Sequence, residues 1–111
     1  MDGFYLTSIE LKKGYDPPLC RVVRRLRSEV RDDLALVEVE PPLPAYAYHT
    51  KEDARWLILA AREEGTSLFP VPRWPLTVYV CWTKDGVEPV SDYLPSEQLV
   101  ILDWGEVKKR Q

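Results

Sequence analysis

Leu19, Val22, Val23, Leu26 and Val30 recur at helical spacing, so all five fall on one narrow face of a helical wheel. Asp16, just before them, is a good N-cap, because its carboxylate oxygen can accept a free backbone N–H of the first turn. Pro17 suits the first helical position, where its missing N–H is not needed. The pattern predicts a helix over residues 16–31, with Arg21, Arg24, Arg25 and Arg31 on the opposite face and Arg27 beside them. One face would seal a core while the other presents a row of guanidinium groups.

The rest of the chain reads mostly as strands. Phe4 to Leu11 alternates weakly, with Tyr5, Thr7, Ile9 and Leu11 on one side, and Lys12-Lys13-Gly14 ends it. Leu34 to Glu40 is a second strand, stopped by Pro41-Pro42 because proline cannot donate to a sheet ladder. Residues 41–49, PPLPAYAYH, read as a stiff extended segment. Thr50 is followed three residues later by Asp53, a near-match to a capping box. Ala54, Leu57, Ile58 and Ala61 then repeat at helical spacing up to Gly65, which predicts a helix over 51–64. The competing pattern is a fully buried strand over Trp56–Arg62, but richness in Leu and Ala and scarcity of β-branched residues favour helix.

Gly65 to Pro75 is a proline-punctuated loop, and Leu76 to Thr83 is the clearest strand. Asp85-Gly86 signals a tight hairpin turn into a short partner strand near Val87–Val90. Ser91 to Gln98 reads as a loop or single helical turn, Leu99 to Asp103 as a last strand, and Lys108-Lys109-Arg110 as a fraying basic tail. The order β-α-β-α-β-β-β predicts an α+β fold. It would be a single small domain over residues 1–111, a mixed or antiparallel sheet of about five strands with two helices packed on it.

A chain of 111 residues can bury roughly two-thirds of its unfolded surface and needs no disulfide or metal to fold. The net charge of −3 hides an asymmetry: residues 1–31 carry seven Lys or Arg against four Asp or Glu, whereas residues 32–111 carry eight against fourteen. No stretch reads as a secretory signal, and no apolar run approaches the ~20 residues that span a bilayer. Two cysteines, Cys20 and Cys81, do not make a disulfide framework, so a cytoplasmic protein with reduced thiols and no membrane contact is expected.

Little of the chain points to catalysis. One histidine, two distant cysteines and scattered carboxylates lack the paired spacings of a zinc site, and no cofactor is expected. His49 is the only side chain that ordinarily titrates near neutrality and could act as a base for Cys81, Cys20 or Ser67. No recognised nucleophile turn surrounds any of them, and Cys81, between Val80 and Trp82, reads as a small core residue. The acid pairs Asp32-Asp33, Glu52-Asp53 and Glu63-Glu64 read as solvated turns and ends.

Two surfaces remain. Arg21, Arg24, Arg25 and Arg31 could grip phosphate or carboxylate, unless the chain's own surplus carboxylates answer them. The acidic pI of about 5.2 and the lack of an aromatic residue within the row argue against nucleic acid. The second surface combines Tyr46 and Tyr48 with Arg73 and Trp74, residue types enriched at binding hot spots. The leading expectation is therefore a non-enzymatic, cytoplasmic protein-binding module: a regulator, adaptor or inhibitor-like protein. Its contacts would centre on Arg73, Trp74, Tyr46 and Tyr48. The alternatives are a nucleic-acid or polyanion binder through the arginine helix, and a small hydrolase or transferase using His49. Exposed strand edges could also pair two copies into a homodimer.

Overall fold

Six antiparallel strands follow one another in chain order around a closed barrel in the computed structural model, which describes residues 3–8, 16–48, 50–63 and 75–109. They are β1 (Phe4–Ser8), β2 (Leu19–Leu26), β3 (Leu34–Leu43), β4 (Ala54–Ala61), β5 (Leu76–Thr83) and β6 (Leu99–Lys109). β6 closes the barrel on β1, from Phe4 opposite Lys109 to Ser8 opposite Gly105. Helical geometry among the described residues amounts to one turn at Ala45–Tyr48 and a 3-10 turn at Ser96–Gln98. The expected α+β fold is thus overturned, because both predicted helices are strands.

The arginine-bearing segment is β2, and its misleading period has a physical cause. Register shifts between Val22 and Arg24, which leaves Val23 as the extra residue of a β-bulge. Leu19 lies opposite Glu40 on the outer face, whereas Val22 lies opposite Val37 on the face that fills the barrel. Val23 is turned out to solvent at the bulge, and Leu26 pairs with Leu34. Residues that would share one helical face are divided between two faces of an irregular strand.

The segment predicted as the second helix is β4, whose residues from Trp56 to Ala61 are all buried. Leu57, Leu59 and Ala61 point inward opposite Val37, Ala35 and Val78, while Ile58 points outward opposite Leu36 and Cys81. Burial of both faces erases the period-2 signal, so composition alone favoured helix, and cross-strand packing overrides that propensity.

The expected strand at Leu76–Thr83 is observed, but its partner is not at 87–90. Gly86 adopts φ 72° and its N–H donates to the Thr83 carbonyl at 3.0 Å, so the turn forms. The chain then leaves as a fifteen-residue connection, residues 84–98 (the strap), and β6 pairs with β5 from Leu99 opposite Thr83 to Val107 opposite Leu76. β6 carries on through the supposed fraying tail to Lys109. β3 likewise runs past Pro41 and Pro42, which sit where the ladder with β4 is interrupted between Glu38 and Leu43. Residues 9–11 of the first predicted strand lie outside the described residues.

Phe4, Leu6, Cys20, Val37, Leu57, Val80 and Val107 are among the side chains that fill the lumen, each almost wholly buried. Charged residues such as Arg21, Glu38, Glu40 and Lys108 lie outside, the reverse of a channel-forming membrane barrel. Among the described residues no helix is long and apolar enough to cross a membrane. On the β2–β5 side the outward residues Leu26, Leu34, Leu36, Ile58 and Cys81 are buried as well. The strap, with Leu94 buried in the same cluster, spans this side from β5 to β2.

Candidate functional site

The four arginines singled out in the sequence all meet the chain's own carboxylates. Arg21 Nη2 lies 2.8 Å from Glu38 Oε1, across the β2–β3 ladder. Arg24 Nε lies 3.2 Å from Asp92 Oδ1 on the strap, and its Nη2 also donates to the Pro89 and Ser91 carbonyls. Arg25 Nε donates to the Asp32 carbonyl at 2.6 Å, with the Asp32 carboxylate 3.9 Å from Nη2. Arg31 makes two parallel bonds to Asp33. The cleft beside them, lined by Arg25, Leu26, Arg27, Asp32 and Asp92, holds two guanidinium groups and two carboxylates. It has no surplus positive charge to offer an anion.

These contacts fasten the strap. Arg27 N–H donates to the Asp92 carbonyl and Leu94 N–H to the Arg27 carbonyl, both at 2.8 Å. The Arg27 guanidinium sits 5.4 Å from the centre of the Tyr93 ring. Glu29 accepts from the Tyr93 hydroxyl at 2.9 Å and from Ser96 N–H at 3.0 Å. The Ser96 N–H, first, then the backbone of Glu29 itself and the Tyr93 hydroxyl hold the Glu29 carboxyl below the usual glutamate range. The same hydrogen bond pushes the Tyr93 phenol above its ordinary value.

The expected aromatic surface is only partly in view. Tyr48 is buried in the core rather than presented to a partner. Arg73, Trp74, His49 and the Tyr46 side chain lie outside the described residues. Burial pushes the thiols of Cys20 and Cys81 up to about 12, which removes the thiolate that nucleophilic chemistry needs. Among the described residues no three His, Cys, Asp or Glu side chains converge as a metal site.

A different apolar face stands out along the β5–β6 ladder. Trp104 on β6 is 50% exposed and lies directly opposite Tyr79 on β5. Ile101, 62% exposed, lies opposite Cys81 on the same outer face. Sequence reasoning missed this face because β6 ladder register shifts between Asp103 and Ile101, so alternation along Leu99–Trp104 does not sort inward from outward residues. The one available signal was a tryptophan between Asp103 and Gly105, where a core strand would rarely place it.

The strap also forms one wall of a groove of about 500 Å³, lined by Val23, Glu38, Val39, Glu40, Pro42, Arg55, Trp56 and Glu88. Trp56 is fixed by Trp82, whose ring centre lies 5.3 Å away at a tilt of 36°.

The fold and these surfaces define a closed six-stranded antiparallel barrel with a filled lumen and two outward-facing candidate contact regions. Comparison with protein-family models, curated proteins and solved structures finds no match to this chain.

Proposed function

We propose that the protein is a non-enzymatic, cytoplasmic protein-binding module whose contact face is the outer surface around Trp104. The observation that carries this is the half-exposed Trp104 indole, held on a paired strand beside Tyr79 and Ile101. Tryptophan and tyrosine dominate binding hot spots, and a strand presents them with little conformational freedom left to lose. The inward side chains Phe4, Leu6, Val37, Leu57, Val80 and Val107 are apolar and almost wholly buried, which supports an exterior site. Two free, buried thiols suit a reducing compartment. A polyanion at Arg21, Arg24, Arg25 or Arg31 would have to displace the carboxylates already seated there.

Affinity capture compared across variants tests this. Trp104→Ala should cost about 2 kcal/mol or more of partner affinity while leaving the thermal midpoint close to wild type. A matching Arg73→Ala/Trp74→Ala variant reports on the proline-punctuated segment. Partners retained at full strength by Trp104→Ala would refute the assignment of this face.

A further inference from the structure

We propose that the groove between the strap and the outer face of β2–β4 is a docking site for a basic segment of a partner protein. A lysine or arginine stem would lie along Val23 and Trp56, with its charge at Glu40 and Glu88.

The groove is built rather than incidental. Val23 reaches it only because the bulge adds a residue to β2, and it is left 52% exposed. Bulges recur where a strand must re-aim a side chain. Trp56 stands on the outer face opposite Glu38, with Trp82 behind it. Pro42 completes the apolar lining, and the strap contributes Glu88.

The charges select the occupant. The Glu38 carboxylate is engaged by Arg21, but the carboxylates of Glu40 and Glu88 have no ion pair or hydrogen bond among the described residues. Three carboxylates stand against the guanidinium groups of Arg21 and Arg55, so the rim keeps an excess of negative charge. An anionic ligand is repelled, and a purely apolar one would cover two carboxylates without pairing them. A long cationic side chain satisfies both needs, since its methylenes bury on apolar surface while its head meets carboxylate. Trp56 adds the ring that a cation favours.

The test is fluorescence anisotropy of a labelled hexalysine peptide at low salt. Saturable binding is expected, weakened about tenfold in Glu40→Gln/Glu88→Gln. Val23→Lys, which places a cation of the chain itself in the groove, should weaken it similarly. Glu52→Gln/Glu63→Gln removes the same charge from exposed positions elsewhere and should change affinity less than twofold. Equal weakening by both glutamate pairs, or no saturable binding at all, overturns the proposal. Trp104→Ala should leave hexalysine binding unchanged, so this site and the Trp104 face stand or fall separately.

Discussion

Arg31 and Asp33, two residues apart at the turn between β2 and β3, form a two-pronged ion pair with Nε–Oδ1 at 2.7 Å and Nη2–Oδ2 at 2.8 Å. Arg31 Nη2 also donates to the Ala61 carbonyl at 2.9 Å, which ties this turn to the end of β4. The side chains are only 15% and 7% exposed. Removing the cation takes a two-pronged partner away from a buried carboxylate, so Arg31→Met should cost about 3–5 kcal/mol in urea denaturation. Arg31→Met/Asp33→Leu, which removes both charges, should recover most of that. A single-variant loss below about 1 kcal/mol would show that this ion pair contributes no more than a surface one.

Glu29 makes attachment of the strap dependent on pH. Its folded-state pKa is lowered, so its contribution is present above the unfolded value and is lost as pH falls through the folded value. The Tyr93 phenol is raised, so its contribution is present below its unfolded value and lost as strongly alkaline pH passes the folded one. The latch is whole between those limits. Amide exchange at Leu94 and Arg27 should accelerate, relative to core amides, below the ordinary carboxylate range. In Glu29→Gln that extra acid dependence should disappear. Unchanged acid behaviour in the variant would assign the loosening to another carboxylate.

Both thiols should be silent in the native protein. With Cys20 and Cys81 buried and their pKa pushed up to about 12, a disulfide reagent at mildly alkaline pH should find no reactive thiol until denaturant is added. Two thiols per chain should then react. Fast reaction of either in native buffer would count against the packing around it.

Gly86, in the turn that leads into the strap, lies in the left-handed region at φ 72°, and a Cβ there would meet the Trp82 ring at 3.3 Å. Gly86→Ala should therefore destabilise by about 1–2 kcal/mol. Gly86→Asn should cost less, since asparagine tolerates that conformation better. A neutral alanine variant would mean that the turn relaxes out of this geometry.

The parts of the fold legible in the sequence are those whose residue types or polar alternation mark a strand directly. Leu76–Thr83 was recognisable from its β-branched and aromatic run, and Leu34–Glu40 from Val37 and Val39 alternating with Glu38 and Glu40. β4 was not, because the lumen buries one face and the β2–β5 side of the barrel buries the other. β2 was not, because one extra residue at Val23 re-phases its side chains into a helix-like pattern. The sites followed the same logic. The internal answer to the arginines was foreseeable from the acidic remainder of the chain, but which acid meets which arginine depends on strand register. Asp92 reaches Arg24 across 68 positions of sequence. Trp104 and the Glu40–Glu88 groove required the register of β6 and the path of the strap, and neither is encoded locally.

Phe4 pairs with Lys109, and this seam has a consequence for how the protein is made. On a ribosome the first strand emerges long before the last, and at about 5–20 residues per second it waits roughly 5–20 seconds for its partner. Throughout that interval β1 and the growing sheet present open edges that a stranger's strand could join. The barrel can shut only when translation has passed residue 109, so a nascent chain is exposed to misassembly until β6 has emerged. Cells short of chaperones would be expected to lose this protein to aggregates during synthesis, well before any defect in the finished molecule could be seen.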